Sequence, residues 1–458
     1  MAERVQSITP IRGGPAENER AAFHRKLLRR WPGWFLVICL AIVSVQMIVN
    51  GISGQLADGD CGGQFEFGRR FLAGEPLYAQ HETFQYLPIA ALYWSPLALL
   101  GPHVGPLVRY AMSVACLGWT FWMLAVMVRP QCDPSRWDAL TLVGVSVFLG
   151  LHYLLRDLVD AGPHVILLTM LVGGIYCAWR GREKLAGVWF GLAIVLKLTP
   201  GLFLPFLLWK RKWQLAAYTL VAMLLWTVLP IVRMGPASWW KHQRAWNAVA
   251  LSVFLDRPHP DRVHNETRII NQALKPAIER YLVTYPPGHP LRLDHPADRP
   301  VLDLSPATAK QVANLIMLSL VLGFAWWSRR RYTGPDDPAW LVESSGVLIL
   351  ALLLAPLAWV QHIVFALPAI YLIVARDWAI RKLPWPAMIA IGAYIVLTLL
   401  LNRELLGLRN YAVLLSYHIH TMGLLILLGL LMILRPTDRP AITNREHRQL
   451  LSGLKRAA

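Results

Sequence analysis

The chain has 458 residues, 55% hydrophobic and only 16% charged, with a mean hydropathy of +0.42. That charge content lies below the ~25% usual for soluble domains, and repeated apolar runs near the ~20 residues of a bilayer crossing exclude a soluble globular enzyme. The net charge of +18 sits at the ends of apolar runs, as the positive-inside rule requires; it suits membrane lipids or a lipid phosphate rather than nucleic acid.

Taken in chain order, residues 1–33 read as a polar, basic, partly disordered cytoplasmic tail. Residues 34–52 form a first span, too long for a signal-peptide core and retained. Residues 53–85 then lie outside. Residues 87–101 are apolar but short and carry Pro88 and Pro96, which predicts a re-entrant or interfacial element. Residues 104–128 span inward and 139–155 return. Residues 165–179 lead to Arg180 and Arg182, and 209–213 hold Lys210, Arg211 and Lys212. With both basic clusters inside, 185–208 starts and ends on the same side, so Pro200 and Gly201 break it into a hairpin of two half-helices covered by protein or a wet cavity.

Residues 215–231 go out. Residues 234–308 form a long polar outer loop with helix of its own. Spans 312–327, 340–357, 363–374, 384–401 and 413–434 follow, and 435–458 is a second basic cytoplasmic tail. The fold class is an all-α polytopic integral membrane protein of about 10–13 transmembrane or re-entrant helices, its membrane domain covering 34–434. The five cysteines, Cys39, Cys61, Cys116, Cys132 and Cys177, contain no CxxC pair and suggest neither disulfides nor zinc.

This topology puts Asp60, Asp160, His164, the 234–308 loop, Gln361 and His362 on one face, although none of them set the orientation. Asp60 follows the first span and precedes a stretch rich in Phe and Arg; alone, it also fits a helix N-cap or surface charge. Lys197 lies within an apolar run, where a bare cation costs roughly 2.5–3.5 kcal/mol. It needs an anionic partner, or it snorkels to an interface.

Four stretches in order resemble a known family. Asp60, Phe65, Gly74, Tyr78 and Tyr86-Leu87-Pro88 form the first, and Gly191 through Lys197-Leu198-Thr199-Pro200 the second. Asn271-Gln272-Ala273-Leu274 and Ala355-Pro356 through Trp359, Gln361 and His362 are the others. Together they are similar to the polyprenol-phosphate-mannose-dependent mannosyltransferases of glycosyltransferase family eighty-seven, the PimE-like branch of the GT-C superfamily. Gln361 stands where that family usually has a first His, and Gly162-Pro163-His164 where a Gly-Gln-x-Asn-like element is common.

The resemblance implies a GT-C fold and a hexosyltransferase, mannosyltransferase-like, that moves a sugar from a polyprenyl-phosphate donor to a lipid or glycan acceptor. It would act at the outer face of the plasma membrane, inverting the anomeric centre, with no cofactor and no metal. Asp60 would be the general base, with Asp58 as runner-up. Lys197 and His362 would meet the leaving phosphate. Arg69 would anchor to the interface or meet the phosphate. Asn271 and Gln272 would hydrogen-bond sugar hydroxyls or cap their loop. His164 and Asp160 would line the same cavity, with Gln361 beside them. A transporter or lipid flippase is the alternative; its signature would be broken helices in matching halves, and only one broken hairpin is visible.

Overall fold

The computed structural model describes residues 15–55, 60–78, 86–133, 138–159, 162–254, 269–286, 288–289, 292, 300–377 and 383–433. Asp58, Asp160 and the 435–458 tail lie outside the described residues. Every regular element among those described is helical.

Helix α1 (Pro15–Ile52) runs 38 residues, so residues 15–33, expected as part of a tail, continue the first span. Its 31–52 portion is apolar enough to cross a bilayer, and Ile38, Ile42, Val45 and Ile48 are exposed on it, as a lipid-facing stripe requires. Helix α2 (Asp60–Ala73) buries Cys61, Phe65, Phe67 and Phe71 and packs against α3 (Pro88–Ala98). The contact is close: a Cβ at Gly68 would meet the Ser95 backbone nitrogen at 2.9 Å. The expected short apolar element is thus an 11-residue helix, not a crossing. Helix α4 (Gly101–Val128) is the second long apolar span.

The chain bends sharply at three places. Residues 139–155 become α5 (Ala139–Leu149) and α6 (Leu151–Val159), turned by 75°. Helix α10 (Trp213–Val228) turns by 89° at Pro230 into α11 (Ile231–Phe254), part of the helix expected within the long loop. The last predicted span, 413–434, is divided. Helix α17 (Arg403–Ser416) lies at 93° to the preceding helix, and α18 (Ile419–Ile433) starts after His418, whose φ is 52°.

At the centre stand α7 (His164–Trp179) and α14 (Pro338–Leu354). Every residue of α7 except Tyr176 is buried, as is the whole of α14 from Ala339 to Leu353. Both are apolar all round because protein, not lipid, encloses them.

The expected hairpin is present. Helix α8 (Glu183–Leu196) stops because Pro200 has no N–H and would clash with the carbonyl four residues back, that of Leu196. A 3₁₀ turn (Thr199–Leu202) and α9 (Phe203–Trp209) bring the chain back. An ion pair closes the base, with Lys212 Nζ 2.7 Å from Glu183 Oε1. Beside it Lys210 Nζ lies 2.6 Å from Glu343 and donates to the Ser328 carbonyl. The basic residues that marked topology in the sequence are therefore also buried fasteners: Lys210 is 5% and Lys212 7% exposed. Trp340 Nε1 donates to the Ile175 carbonyl and Asp336 N to the Trp179 carbonyl, tying α7 to the same end.

Candidate active site

The far end of the hairpin carries the chemistry. Lys197 is the C-cap of α8 with extended backbone (φ −153°, ψ 120°), so its side chain leaves the helical path. The negative end of the α8 dipole favours an ammonium at that position. Nζ lies 2.8 Å from His164 Nε2 and 2.9 Å from His362 Nε2. An ammonium only donates, so His164 presents its Nε2 lone pair to it, while His362, whose Nδ1 lies 3.3 Å from Trp359 N, completes the contact through Nε2. His164 and His362, expected on one face, and Lys197, expected to need an anionic partner, are joined at hydrogen-bonding distance.

Asp157 sets the other side of His164. Its Oδ1 lies 2.7 Å from His164 Nδ1. Nδ1 therefore carries the proton and Nε2 is free to accept from Lys197. The same carboxylate accepts from His164 N at 3.2 Å and Val165 N at 2.9 Å, filling the orphan donors at the start of α7. The turn between them needs Gly162, because a Cβ there would collide with Asp157 Oδ1. Asp157 is fully buried and was missed in the sequence, where it stands two residues beyond the run 139–155 read as a span.

His362 lies in a 3₁₀ segment (Val360–Ala366), its ring nearly parallel to Trp359 (19°, centroids 5.8 Å). Asn271 holds that segment. Its Nδ2 donates to the Pro356 carbonyl at 3.0 Å, and its Oδ1 accepts from Ala358 N at 3.0 Å. Gln272 N donates to the Ala358 carbonyl, and its Nε2 to the carbonyls of Ile269 and Leu415. The Asn271 side chain and the Gln272 backbone thus brace the chain leading to His362, and the Gln272 side chain ties the same turn to Leu415. Gln361 is buried next to it.

Helix α2 reaches this region through α3. Leu87 and Ile89 pack with Val195, two residues before Lys197, and Tyr78 Oη donates to the Tyr86 carbonyl at 2.7 Å. Asp60 opens α2; its side chain is outside the described residues. Arg69 faces away in an exposed cluster, 2.7 Å from Glu66 and 3.1 Å from Glu75. Hydrogen bonding from Arg69, joined by Arg70, holds the Glu66 carboxyl down at about 2.

The model of glycosyltransferase family 87 matches residues 84–266, a stretch containing Asp157, His164 and Lys197. Two relatives match over most of their length. Both are named polyprenol-phosphate-mannose-dependent alpha-(1-2)-phosphatidylinositol mannoside mannosyltransferase. The one from Mycobacterium tuberculosis (strain ATCC 25618 / H37Rv) is 23% identical over 350 residues, covering 72% of this chain and 73% of the relative. The one from Mycolicibacterium smegmatis (strain ATCC 700084 / mc(2)155) is 23% identical over 353 residues, 71% of each. No solved structure matches significantly. With its all-helical apolar architecture, the chain is a multi-pass membrane glycosyltransferase, similar over residues 84–266 to glycosyltransferase family 87.

Proposed function

We propose that the protein transfers mannose from a polyprenyl-phosphate-mannose donor to a lipid or glycan acceptor at the outer face of the cell membrane, both termini being cytoplasmic. The observation that carries this reading is the Lys197 ammonium held between two imidazoles within an apolar bundle. A cation there suits the phosphate of a lipid whose chain lies in the bilayer, and the names of both relatives specify such a donor.

In the reaction an acceptor hydroxyl oxygen bonds to the anomeric carbon as the bond from that carbon to the phosphate oxygen breaks. The hydroxyl proton passes to Asp60, and the electron pair leaves with polyprenyl phosphate. Attack opposite the leaving group converts a β-linked donor into an α-linked product. Lys197, oriented by His164 and His362, offsets the charge developing on the phosphate. Asn271 and Gln272 keep His362 in place.

The test is transfer of radiolabel. Purified full-length protein in detergent, given polyprenyl-phosphate-[14C]mannose and total membrane lipid, yields labelled lipid product; GDP-[14C]mannose yields none. Label accepted from GDP-mannose alone would overturn the donor assignment.

A further inference from the structure

Arg109 stands eight residues into α4, inside an apolar span, and is fully buried at 0% exposure. Its Nε, Nη1 and Nη2 are all buried without a hydrogen-bond partner. Its guanidinium makes a cation–π contact, lying 4.3 Å from the centroid of the Trp94 ring on α3. Burying a guanidinium with five unused donors is strongly unfavourable unless something fills them.

Among the described residues, no side chain or backbone group fills them. Arg109 is close enough for its charge to act on both Asp157 and His164. Yet the Asp157 oxygens are spent on His164 and Val165. The His164 ring is likewise taken up, its Nδ1 by Asp157 and its Nε2 by Lys197. Arg109 and Lys197 therefore bring two positive charges against the single carboxylate of Asp157. Across the cluster the indole Nε1–H of Trp359 is also buried with no acceptor. The region is short of one anion with several acceptor oxygens.

We propose that Arg109 is a second phosphate-binding residue, pairing with Lys197 around the phosphate of the lipid-linked sugar. This rests on the donor reading above. A guanidinium fork grips two phosphate oxygens at once, whereas an ammonium acts as a point charge. Trp94 stacks on the fork from α3, the helix against which α2 packs. The donor is a phosphodiester with one negative charge; the departing polyprenyl phosphate gains charge as the sugar leaves. Two cations thus bind the departing group more tightly than the ground state, which accelerates transfer.

The experiment measures binding, not turnover. Purified full-length protein in detergent is titrated with polyprenyl phosphate, uncharged polyprenol and inorganic phosphate, following affinity and melting temperature. Wild type binds polyprenyl phosphate well, polyprenol at least about tenfold more weakly, and inorganic phosphate weakly. Arg109→Met, which removes an uncompensated buried ion, melts no lower than wild type without ligand but binds polyprenyl phosphate at least about tenfold more weakly. Affinity within about twofold of wild type overturns the Arg109 assignment and leaves the donor reading intact. A lower melting temperature with affinity retained marks a structural arginine and also overturns it. Wild type that fails to prefer polyprenyl phosphate over polyprenol overturns the donor reading and the Arg109 assignment with it. Inorganic phosphate binding as tightly as the lipid overturns the lipid source. Should Arg109→Met yield no folded protein, Arg109→Lys decides. It keeps the charge but loses the fork, so a loss of at least about threefold supports the proposal and unchanged affinity overturns it.

Discussion

Lys197 shows how one side chain can serve structure and chemistry together. Its two imidazole contacts at 2.8 and 2.9 Å fix the ammonium before any substrate arrives, which is the preorganisation electrostatic catalysis needs. Replacing it by Met removes that charge, and a charge-assisted hydrogen bond is worth about 1.5–3 kcal/mol. Lys197→Met is therefore expected to lower kcat/KM for the lipid donor by about tenfold or more; unchanged kinetics would reduce the lysine to a bridge between imidazoles. Asp157 acts one bond further out. Asp157→Asn loses an ionic cap on His164 N and Val165 N and frees the His164 tautomer. We expect a lower melting temperature, consistent with about 1.5–3 kcal/mol, together with slower transfer; a full-rate, fully stable variant would remove Asp157 from the relay. The sequence identified Lys197, His164 and His362 but neither Asp157 nor Arg109. A bare Arg in the apolar run 104–128 carried the same signal that singled out Lys197. Asp157 was hidden because the 75° bend turning α6 off the α5 axis breaks the linear reading of 139–155 as one span.

At the scale of elements, the hairpin 183–212 is the part most legible in the sequence. Pro200 stops α8, and basic residues at both ends require a return to the same side. The structure adds the fastening of its base by Lys212 to Glu183. Pro200→Ala removes the clash with the Leu196 carbonyl and lets α8 continue through Lys197. The expected outcome is a folded protein of similar melting temperature with kcat/KM reduced at least about tenfold, because a helical Lys197 points elsewhere. Normal kinetics would mean the break does not aim the lysine. The bend at Gly150 was not legible, since apolar residues on both sides leave no change of pattern, whereas the run Asn402-Arg403-Glu404 marked the end of the 384–401 span. The bend at Pro230 had a marker in the proline itself.

At the scale of the whole molecule, the bundle has two ends. Glu183, Lys210, Lys212 and Glu343 gather at one; Lys197, His164 and His362 meet at the other. Helix α7, 16 residues and about 24 Å long, separates them. At about 24 Å, α7 is short of the ~30 Å hydrocarbon core, which protein enclosing it on all sides allows. If the basic end is cytoplasmic, cysteine placed at exposed Glu75 in a cysteine-free background is labelled by an impermeant maleimide in intact cells. Cysteine at exposed Arg211 is labelled only after permeabilisation. Labelling of Arg211→Cys from outside would invert the orientation and put the lipid donor on the wrong side.

The central claim joins the two halves of the site: a carboxylate at the head of α2 takes the acceptor proton while buried cations receive the phosphate. Single-turnover transfer by Asp60→Asn tests it most directly, because asparagine keeps size and polarity but cannot accept the proton. A general base is worth roughly 10²–10⁴ in rate. The account predicts a rate at least about a hundredfold below wild type, with polyprenyl phosphate affinity within about twofold and a far smaller effect for Asp58→Asn. Equal single-turnover rates for Asp60→Asn and wild type would contradict it.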